Sequence, residues 1–430
     1  MVPTKRKLRI GICGIRGIPH TYGGAETVIM ELAPRLAARG HEVTVYCRRA
    51  LFRERPGVYK GVRLIYLPNV ETKVLGTPTH TLLSMADVVF RRPDVILVWN
   101  LPSAFLCIMP RLLGKAVAIM VDGLDWKRSK WGRLGRAYLY LSARSVGAIC
   151  PKGVITDTAD MHRVYLEEFG TTSACIPCGA SIETSTDPGA VRRYGLEPFQ
   201  YYLIASRLVP ENNADLILQA FERMSTDRLL AIAGEANYRT KFVERLKETR
   251  DPRVRFLGHV DDPKQIKELH CNAYAYVHGH SAGGTNPALL KALGCANCVL
   301  ALNTPSNAEV LADCGILFEP NVDDLLLKLQ YVEDHPEVAD VYRRRAPQRI
   351  RERYDWETIT DLYEEFFLRL AAGEDPTLTH SSVAAPGAEP TEAQRCRVPS
   401  DSLGCSSDPA EPGTPSFQDQ LSCGKTERPN

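Results

Sequence analysis

The 430-residue chain lacks any long apolar run. Its most hydrophobic stretches, Val95–Trp99 and Ala116–Val121, fall well short of the about 18 residues a membrane span needs. The basic start, Met1–Lys7, leads into a strand-like run and a glycine-rich turn, unlike the apolar core of a secretory signal. The chain therefore reads as neither membrane-spanning nor secreted. A cytoplasmic location is expected, the inner face of a membrane included. Metal-ligand spacing is also missing. The thirteen cysteines include two C-x-x-C pairs, Cys175/Cys178 and Cys295/Cys298. They lie much farther apart than the about 15–20 residues between the pairs of a zinc ribbon. Each sits beside an apolar run, where cysteine acts as a small buried hydrophobe. No metal and no cofactor are expected.

Carboxylates are scarce in the first part. Residues 1–180 hold about 26 Lys and Arg against about 13 Asp and Glu, and the remainder about 27 against about 38, behind a net charge of only +2. Such a split points to a polyanionic partner: nucleic acid, a phosphorylated substrate or an anionic membrane. No nucleic-acid module signature accompanies the basic clusters. Phosphate and lipid headgroups fit better, and no nucleic-acid partner is expected.

What the sequence does have is alternation. Leu8–Cys13, Glu42–Cys47, Val62–Tyr66, Asp94–Trp99 and Ala116–Val121 read as buried parallel strands, with helical patterns at Glu26–Arg39, Thr79–Phe90 and Gly135–Val146. A second series follows, with strands at Tyr201–Ala205, Leu229–Ala233, Val254–Leu257, Ala273–Val277 and Cys298–Leu302. Its helices are expected at Ala214–Met224, Thr240–Thr249 and Pro263–Cys271, and closing helices at Val322–Asp334 and Trp356–Ala371. Two βα runs in succession predict an α/β protein of two doubly wound, Rossmann-like domains. The expected boundaries are 1–185, 195–350, a closing helix at 351–372 that packs back toward the first domain, and a tail at 373–430. Proline-rich and nearly free of aromatics, that tail reads as disordered.

Strand Leu8–Cys13 runs into Gly14-Ile-Arg-Gly17-Ile-Pro-His-Thr-Tyr-Gly23-Gly24-Ala-Glu26 and then a helix. Small residues at such a turn let the backbone approach a ligand, and the helix start offers free N–H groups to a phosphate. A dinucleotide site would want G-x-G-x-x-G and an acidic residue after the second strand. Here the spacing is G-x-x-G-x-x-G, and Arg48–Arg49 follow that strand. Arginine suits a 2′-phosphate, so an NADP-dependent oxidoreductase stays open as an alternative.

The second series carries its own cluster. Arg207 follows strand Tyr201–Ala205, at the end where doubly wound sheets bind ligands, and its planar fork suits a diphosphate. Farther on lies Tyr276-Val-His278-Gly-His280-Ser-Ala-Gly283-Gly284-Thr285-Asn286-Pro287. Thr285 or Asn286 is a natural helix cap and Pro287 a natural first helical residue, so a second helix start faces the same crevice. The two histidines lack a partner with ligand spacing and read as core or substrate-hydroxyl contacts.

Together these residues resemble a known family. Tyr22-Gly-Gly-Ala-Glu26 with Leu32-Ala-Pro-Arg-Leu-Ala-Ala-Arg-Gly-His-Glu-Val-Thr-Val-Tyr is similar to the N-terminal signature of GT-B fold glycosyltransferases of the family 4 type. Val121-Asp-Gly-Leu-Asp-Trp-Lys-Arg-Ser-Lys-Trp131 and His278–Pro287 resemble a bacterial rhamnosyltransferase-like branch. The resemblance spans about residues 8–370. It implies two domains facing a cleft, with a nucleotide diphosphate sugar held mainly by the second and a glycan or lipid-linked acceptor by the first. The implied reaction is metal-independent transfer of a hexosyl or deoxyhexosyl group, rhamnosyl among them.

The implied catalytic residues are Asp122 and Arg207. Substrate binding is assigned to Gly23, Gly24, Glu26, Asn212, His278, His280, Gly283, Gly284, Thr285, Asn286, Lys291 and Glu309. Lys127, Arg128 and Lys130 are assigned to the acceptor or to peripheral contact with an anionic membrane. Two places depart from the family pattern: Asn212 stands where relatives carry a diphosphate-binding lysine, and Lys291 where they carry a ribose-binding glutamate. An ammonium has no acceptor for ribose protons. The second alternative follows from this, a catalytically weak nucleotide-binding relative acting as an interaction or regulatory protein.

Overall fold

The computed structural model describes residues 6–19, 23–70, 72, 75–128, 131–235 and 240–377. Most of the tail at 373–430 lies outside the described residues.

Fourteen strands form two sheets among the described residues. The first holds β1 (Arg9–Cys13), β2 (Glu42–Arg48), β3 (Val58–Tyr59), β4 (Val62–Leu67), β5 (Val95–Trp99), β6 (Ala116–Val121), β7 (Val154–Thr156) and β8 (Ala174–Cys175). Its order is β3-β4-β2-β1-β5-β6-β7-β8, parallel except for the β3–β4 hairpin. The second holds β9 (Tyr201–Ala205), β10 (Leu229–Ala233), β11 (Val254–Gly258), β12 (Ala275–His278), β13 (Val299–Leu302) and β14 (Ile316–Phe318). Its order is β11-β10-β9-β12-β13-β14, parallel throughout. Central strands such as Val95–Trp99 are buried along their whole length. Apolar runs of this kind are stable only with helices on both faces.

The helices of the first lobe are α1 (Gly24–Ala38), α2 (Gly76–Phe90), α3 (Ile108–Leu112), α4 (Arg133–Ile149) and α5 (Ala159–Phe169). Those of the second are α6 (Ala214–Glu222), α7 (Lys241–Leu246), α8 (Pro263–Cys271), α9 (Pro287–Gly294), α10 (Pro305–Leu311) and α11 (Val322–Asp334), followed by α12 (Pro336–Arg349) and α13 (Trp356–Ala371). The sequence pattern failed where elements are short or unpatterned. Strands β7, β8 and β14 hold three residues or fewer. Helix α12 buries only Ala339 and Ala346 and contains Pro347, so it shows no apolar stripe to read. The helix expected at Thr240–Thr249 ends at Leu246, where Lys247-Glu248-Thr249-Arg250 offers nothing more to bury.

Helix α13 returns from the second lobe to the first. Asp355 starts it by accepting the amides of Glu357 (2.9 Å) and Thr358 (3.3 Å). Its apolar face, including Ile359, Tyr363, Phe366 and Phe367, is fully buried. Along α1, Arg35 pairs with Glu357 at 3.1 Å, while Arg39 reaches Glu357, Asp361 and Glu364 at 2.9, 2.6 and 3.0 Å. Glu364 is buried and also meets His41 Nε2 at 3.2 Å. The His41 Nδ1 atom accepts the Leu8 amide (3.1 Å), which leaves Nε2 as the donor to that carboxylate.

Removing the guanidinium takes the charged partner from the buried Glu364 carboxylate. Arg39→Ala is expected to lower unfolding free energy by roughly 2 kcal/mol, read by urea denaturation. Adding Glu364→Gln should recover part of that loss, because a neutral amide needs no counter-charge.

Candidate functional site

Each sheet reverses its winding at one point, and the crevice above that point is where open α/β sheets bind ligands. In the first sheet the reversal lies between β1 and β5, in the second between β9 and β12. These four strand ends carry the glycine loop after Cys13, Asn100, the segment from Ser206, and His278-Gly279-His280.

The first loop is pinned by its own polar atoms. Gly14 has φ +89°, and a Cβ there would collide with the Trp99 carbonyl, so only glycine fits. Asn100 Nδ2 donates to the Gly14 carbonyl at 2.6 Å. Glu26 is buried and its Oε1 accepts the Arg16 amide at 2.9 Å. In this structure Glu26 organises the loop that leads to α1. Gly24, the first residue of α1, lies within van der Waals reach of Pro287 at the start of α9: a Cβ on Gly24 would be 3.6 Å from the proline Cγ. The starts of α1 and α9 therefore come together across the lobes.

On the second lobe, Arg207 is exposed at the mouth. Asn212 is buried and works as a spacer. Its Nδ2 donates to the Arg207 carbonyl (2.7 Å), and its Oδ1 accepts from His280 Nδ1 (2.7 Å). Asn307 Nδ2 holds the His280 carbonyl at 2.9 Å. Burial pushes the His280 imidazole down to about 4, with the charges of Arg128 and Arg207 adding to the effect. Two guanidiniums, one from each lobe, thus bear on one neutral imidazole. His278 is a core residue, fully buried beside the Tyr276 hydroxyl (3.3 Å).

The lobes are joined by an exchange of carboxylates. Asp157, after β7, accepts the Thr285 amide on Oδ2 at 2.7 Å, and Thr285 Oγ1 donates back to the Asp157 carbonyl at 2.6 Å. In the other direction Glu309 of α10 accepts the Ala159 amide at the start of α5 at 2.9 Å. Gly284 has φ +78°, and a Cβ there would strike the Asp122 carbonyl, so the turn can press this closely only as glycine. The Gly284 amide donates to Ser306 Oγ at 3.2 Å. Two of the amides expected to face a ligand, those of Gly284 and Thr285, are therefore engaged within the protein. Asn286 caps α9 through the Ala288 amide (2.9 Å).

Asp157 was not singled out by sequence reasoning; its only signal is a carboxylate directly after a short strand. Only 2% of it is exposed, and its Oδ1 has no partner among the described residues. Burial, then the nearby Asp122 charge, raises its pKa to about 8. Asp122 follows β6 and accepts from Trp99 Nε1 at 3.2 Å. Its pKa is also raised, by burial and then by Asp125, against the opposing charge of Arg128. Burial raises Glu309 as well.

The residues assigned to the acceptor or membrane separate. Lys127 is exposed and lies 3.9 Å from Glu168. Arg128 turns inward. Its Nε lies 3.2 Å from Asp125 Oδ1, and its Nη2 would be 3.1 Å from a Cβ on Gly123, which in turn faces the Ala282 carbonyl of the second lobe. Lys130 lies outside the described residues. Lys291 meets the Glu183 carboxylate, at 3.0 and 3.1 Å. A cation in place of the family carboxylate is thus matched by a carboxylate from the segment that joins the lobes. Gly23 leads into α1 with φ +125°, and Gly283 precedes the turn with φ +74°.

Residues 22–184 match the Glycosyltransferase Family 4 family, and residues 193–349 match the family described as Glycosyl transferases group 1. The glycogen synthase of Mycobacterium tuberculosis is 28% identical over 232 residues, 51% of this chain and 55% of that protein. The O-antigen chain mannosyltransferase B of Escherichia coli is 26% identical over 181 residues, 40% of this chain and 46% of that protein. The chain thus spans about half the length of the curated relatives it matches. Among solved structures, sucrose-phosphate synthase of Thermosynechococcus elongatus superposes with a TM-score of 0.71 at 16% identity, covering 86% of this chain and all of that one. HepE of Anabaena, solved with UDP and glucose, gives 0.68 at 16% identity over 83% of this chain and 98% of its own. At these identities the likeness establishes the fold.

The Asp157 proton has a thermodynamic consequence. A carboxyl that binds its proton more tightly when folded favours folding most below its ordinary value of about 4. That contribution is lost as pH rises toward about 8. Wild type should therefore lose melting temperature relative to Asp157→Asn between about pH 5 and about pH 8, by calorimetry at both. A gap that does not change with pH would mean that the proton is not retained.

Proposed function

We propose that this chain, which belongs to the GT-B glycosyltransferases through a family 4 half followed by a group 1 half, moves a hexosyl or deoxyhexosyl group from a nucleotide diphosphate sugar to a glycan or lipid-linked acceptor. One observation carries the reading: the starts of α1 and α9 come together at Gly24 and Pro287, across the two lobes. Cleavage of the sugar–phosphate bond leaves negative charge on the departing diphosphate. Donors fixed in advance around that charge are usually the largest catalytic contribution.

Arg207 supplies the charge from the second lobe and Arg128 from the first. Arg128 then takes the part of the lysine that Asn212 replaces. Asn212 keeps Arg207 and His280 in register through its two 2.7 Å bonds. The Gly23–Gly24 loop and the start of α9 complete the cradle. Asp122, raised by burial, faces the reacting sugar and takes or shares the proton of the acceptor hydroxyl. The assigned chemistry needs no metal. Among the described residues no cluster of His, Cys, Asp and Glu is arranged to hold one.

Rhamnosyl transfer is the finer reading, supported by the Val121–Trp131 and His278–Pro287 segments. A role in polysaccharide synthesis is supported by the name of the E. coli relative. The weak-relative alternative draws on the Lys291–Glu183 pair, which leaves the ribose subsite without its usual carboxylate at position 291.

Titration calorimetry with UDP, dTDP, GDP and NADP tests the reading, with tight binding expected for one of the three diphosphates. Binding of NADP alone would establish the oxidoreductase, and no binding at all the interaction protein. Arg207→Ala and Arg128→Ala should each weaken the preferred diphosphate at least about tenfold, about 1.4 kcal/mol. Unchanged affinity in either variant removes that arginine from the site.

A further inference from the structure

Ten cysteines lie among the described residues, all as free thiols; nine are buried and Cys271 alone is half-buried. Burial pushes thiols such as Cys47, Cys298 and Cys314 up to about 12, which leaves them inert. Cys271 moves the other way. A hydrogen bond from Cys295 lowers its thiol, with Lys267 assisting, against burial and the charges of Glu268 and Glu183. The same bond, and then burial, raises Cys295, so the inner thiol keeps its proton.

The fold brings the two sulfurs together from different helices. Cys271 is the last residue of α8, and Cys295 directly follows α9. Asn297 clamps these helix ends, its Nδ2 donating to the His270 carbonyl at 2.9 Å and to the Ala292 carbonyl at 3.2 Å. The segment that joins the lobes closes over them. Cys271 Sγ donates to the Glu183 carbonyl at 3.7 Å, and the Glu183 amide donates to the Gly294 carbonyl, next to Cys295, at 3.0 Å. One thiol of the pair thus opens to solvent while its neighbour lies behind it, 3% exposed. Cys107 and Cys150 make a second thiol contact, but at 0% and 3% exposure both are closed off.

We propose that Cys271 and Cys295 are a modification site, a thiol pair that a hydroperoxide converts to a disulfide. The Cys271 thiolate attacks the terminal oxygen of the peroxide and its O–O bond breaks. The other oxygen leaves with the proton that Cys271 gave up, as an alcohol, or as water from hydrogen peroxide, and Cys271 becomes a sulfenic acid. The Cys295 sulfur then attacks the Cys271 sulfur. The S–S bond forms, the S–O bond breaks, and the hydroxyl leaves with the Cys295 proton as water. Two thiols give up two electrons and two protons in all, and the peroxide takes them; a dithiol reverses the change by exchange. In the disulfide Cys271 has no proton for the Glu183 carbonyl, so the joining segment loses that anchor beside the Lys291–Glu183 pair. The site stands apart from glycosyl transfer and does not depend on that reading.

Peptide-resolved mass spectrometry of the full chain, treated with hydrogen peroxide and then alkylated, tests it. The expected product is a Cys271–Cys295 link that dithiothreitol opens. In Cys295→Ser the same treatment should leave Cys271 as a sulfenic acid that dimedone traps, and in Cys271→Ser the Cys295 thiol should stay reduced. Without peroxide, iodoacetamide should modify Cys271 at least about tenfold faster than Cys295, Cys107 or Cys150. Absence of the link, an equal yield of a Cys107–Cys150 link, or pairing of Cys271 chiefly with another cysteine overturns the proposal. Equal alkylation of Cys271 and the buried thiols overturns it as well.

Discussion

The arrangement rests on a reciprocal exchange between lobes. Helix starts expose amides that their own helix cannot satisfy, and they carry the positive end of the helix dipole. Here the first lobe lends the Asp157 carboxylate to the turn before α9, and the second lends Glu309 to the start of α5. Both carboxylates lose water in doing so, and both hold their protons more tightly than an exposed acid. The seam is therefore polar, specific in register and sensitive to protonation, unlike a continuous apolar interface.

This seam also decides what remains for a ligand. With the Gly284 and Thr285 amides engaged, an anion at the mouth meets fewer backbone donors than the sequence implied. Positive charge must come from side chains. Arg207 and Arg128 approach from opposite lobes, so their separation depends on how the lobes sit. The Asp157–Thr285 bonds fix that arrangement from both sides.

Much of this was legible from the residues alone. Strands Ala116–Val121, Tyr201–Ala205 and Leu229–Ala233 and helices Pro263–Cys271, Val322–Asp334 and Trp356–Ala371 end where the pattern put them, because apolar periodicity and cap residues are local signals. The glycine loops were legible for the same reason. Partnership across lobes was not. Nothing in the neighbourhood of Lys291 reveals that Glu183, more than a hundred residues away, carries its counter-charge. Nor does the run Lys127-Arg128 disclose that its two members face different ways. Asp157 stayed invisible because the strand before it is three residues long and its partner, Thr285, lies in the other lobe.

The direction of Arg128 resolves the lopsided charge of the chain into two populations. Coulomb attraction between exposed groups fades beyond about 10 Å in ordinary salt, so one basic patch cannot serve both a buried diphosphate and a distant surface. The sequence supplies both at once: a single arginine turned inward past Asp125, and a helix that begins five residues later with its arginines turned out. Gly132, directly before α4, has extended backbone, and there the chain passes from the cleft loop to the outer face. The cleft loop and the outer helix are connected through Trp126, which packs edge-on against Tyr140 of α4 and Tyr165 of α5.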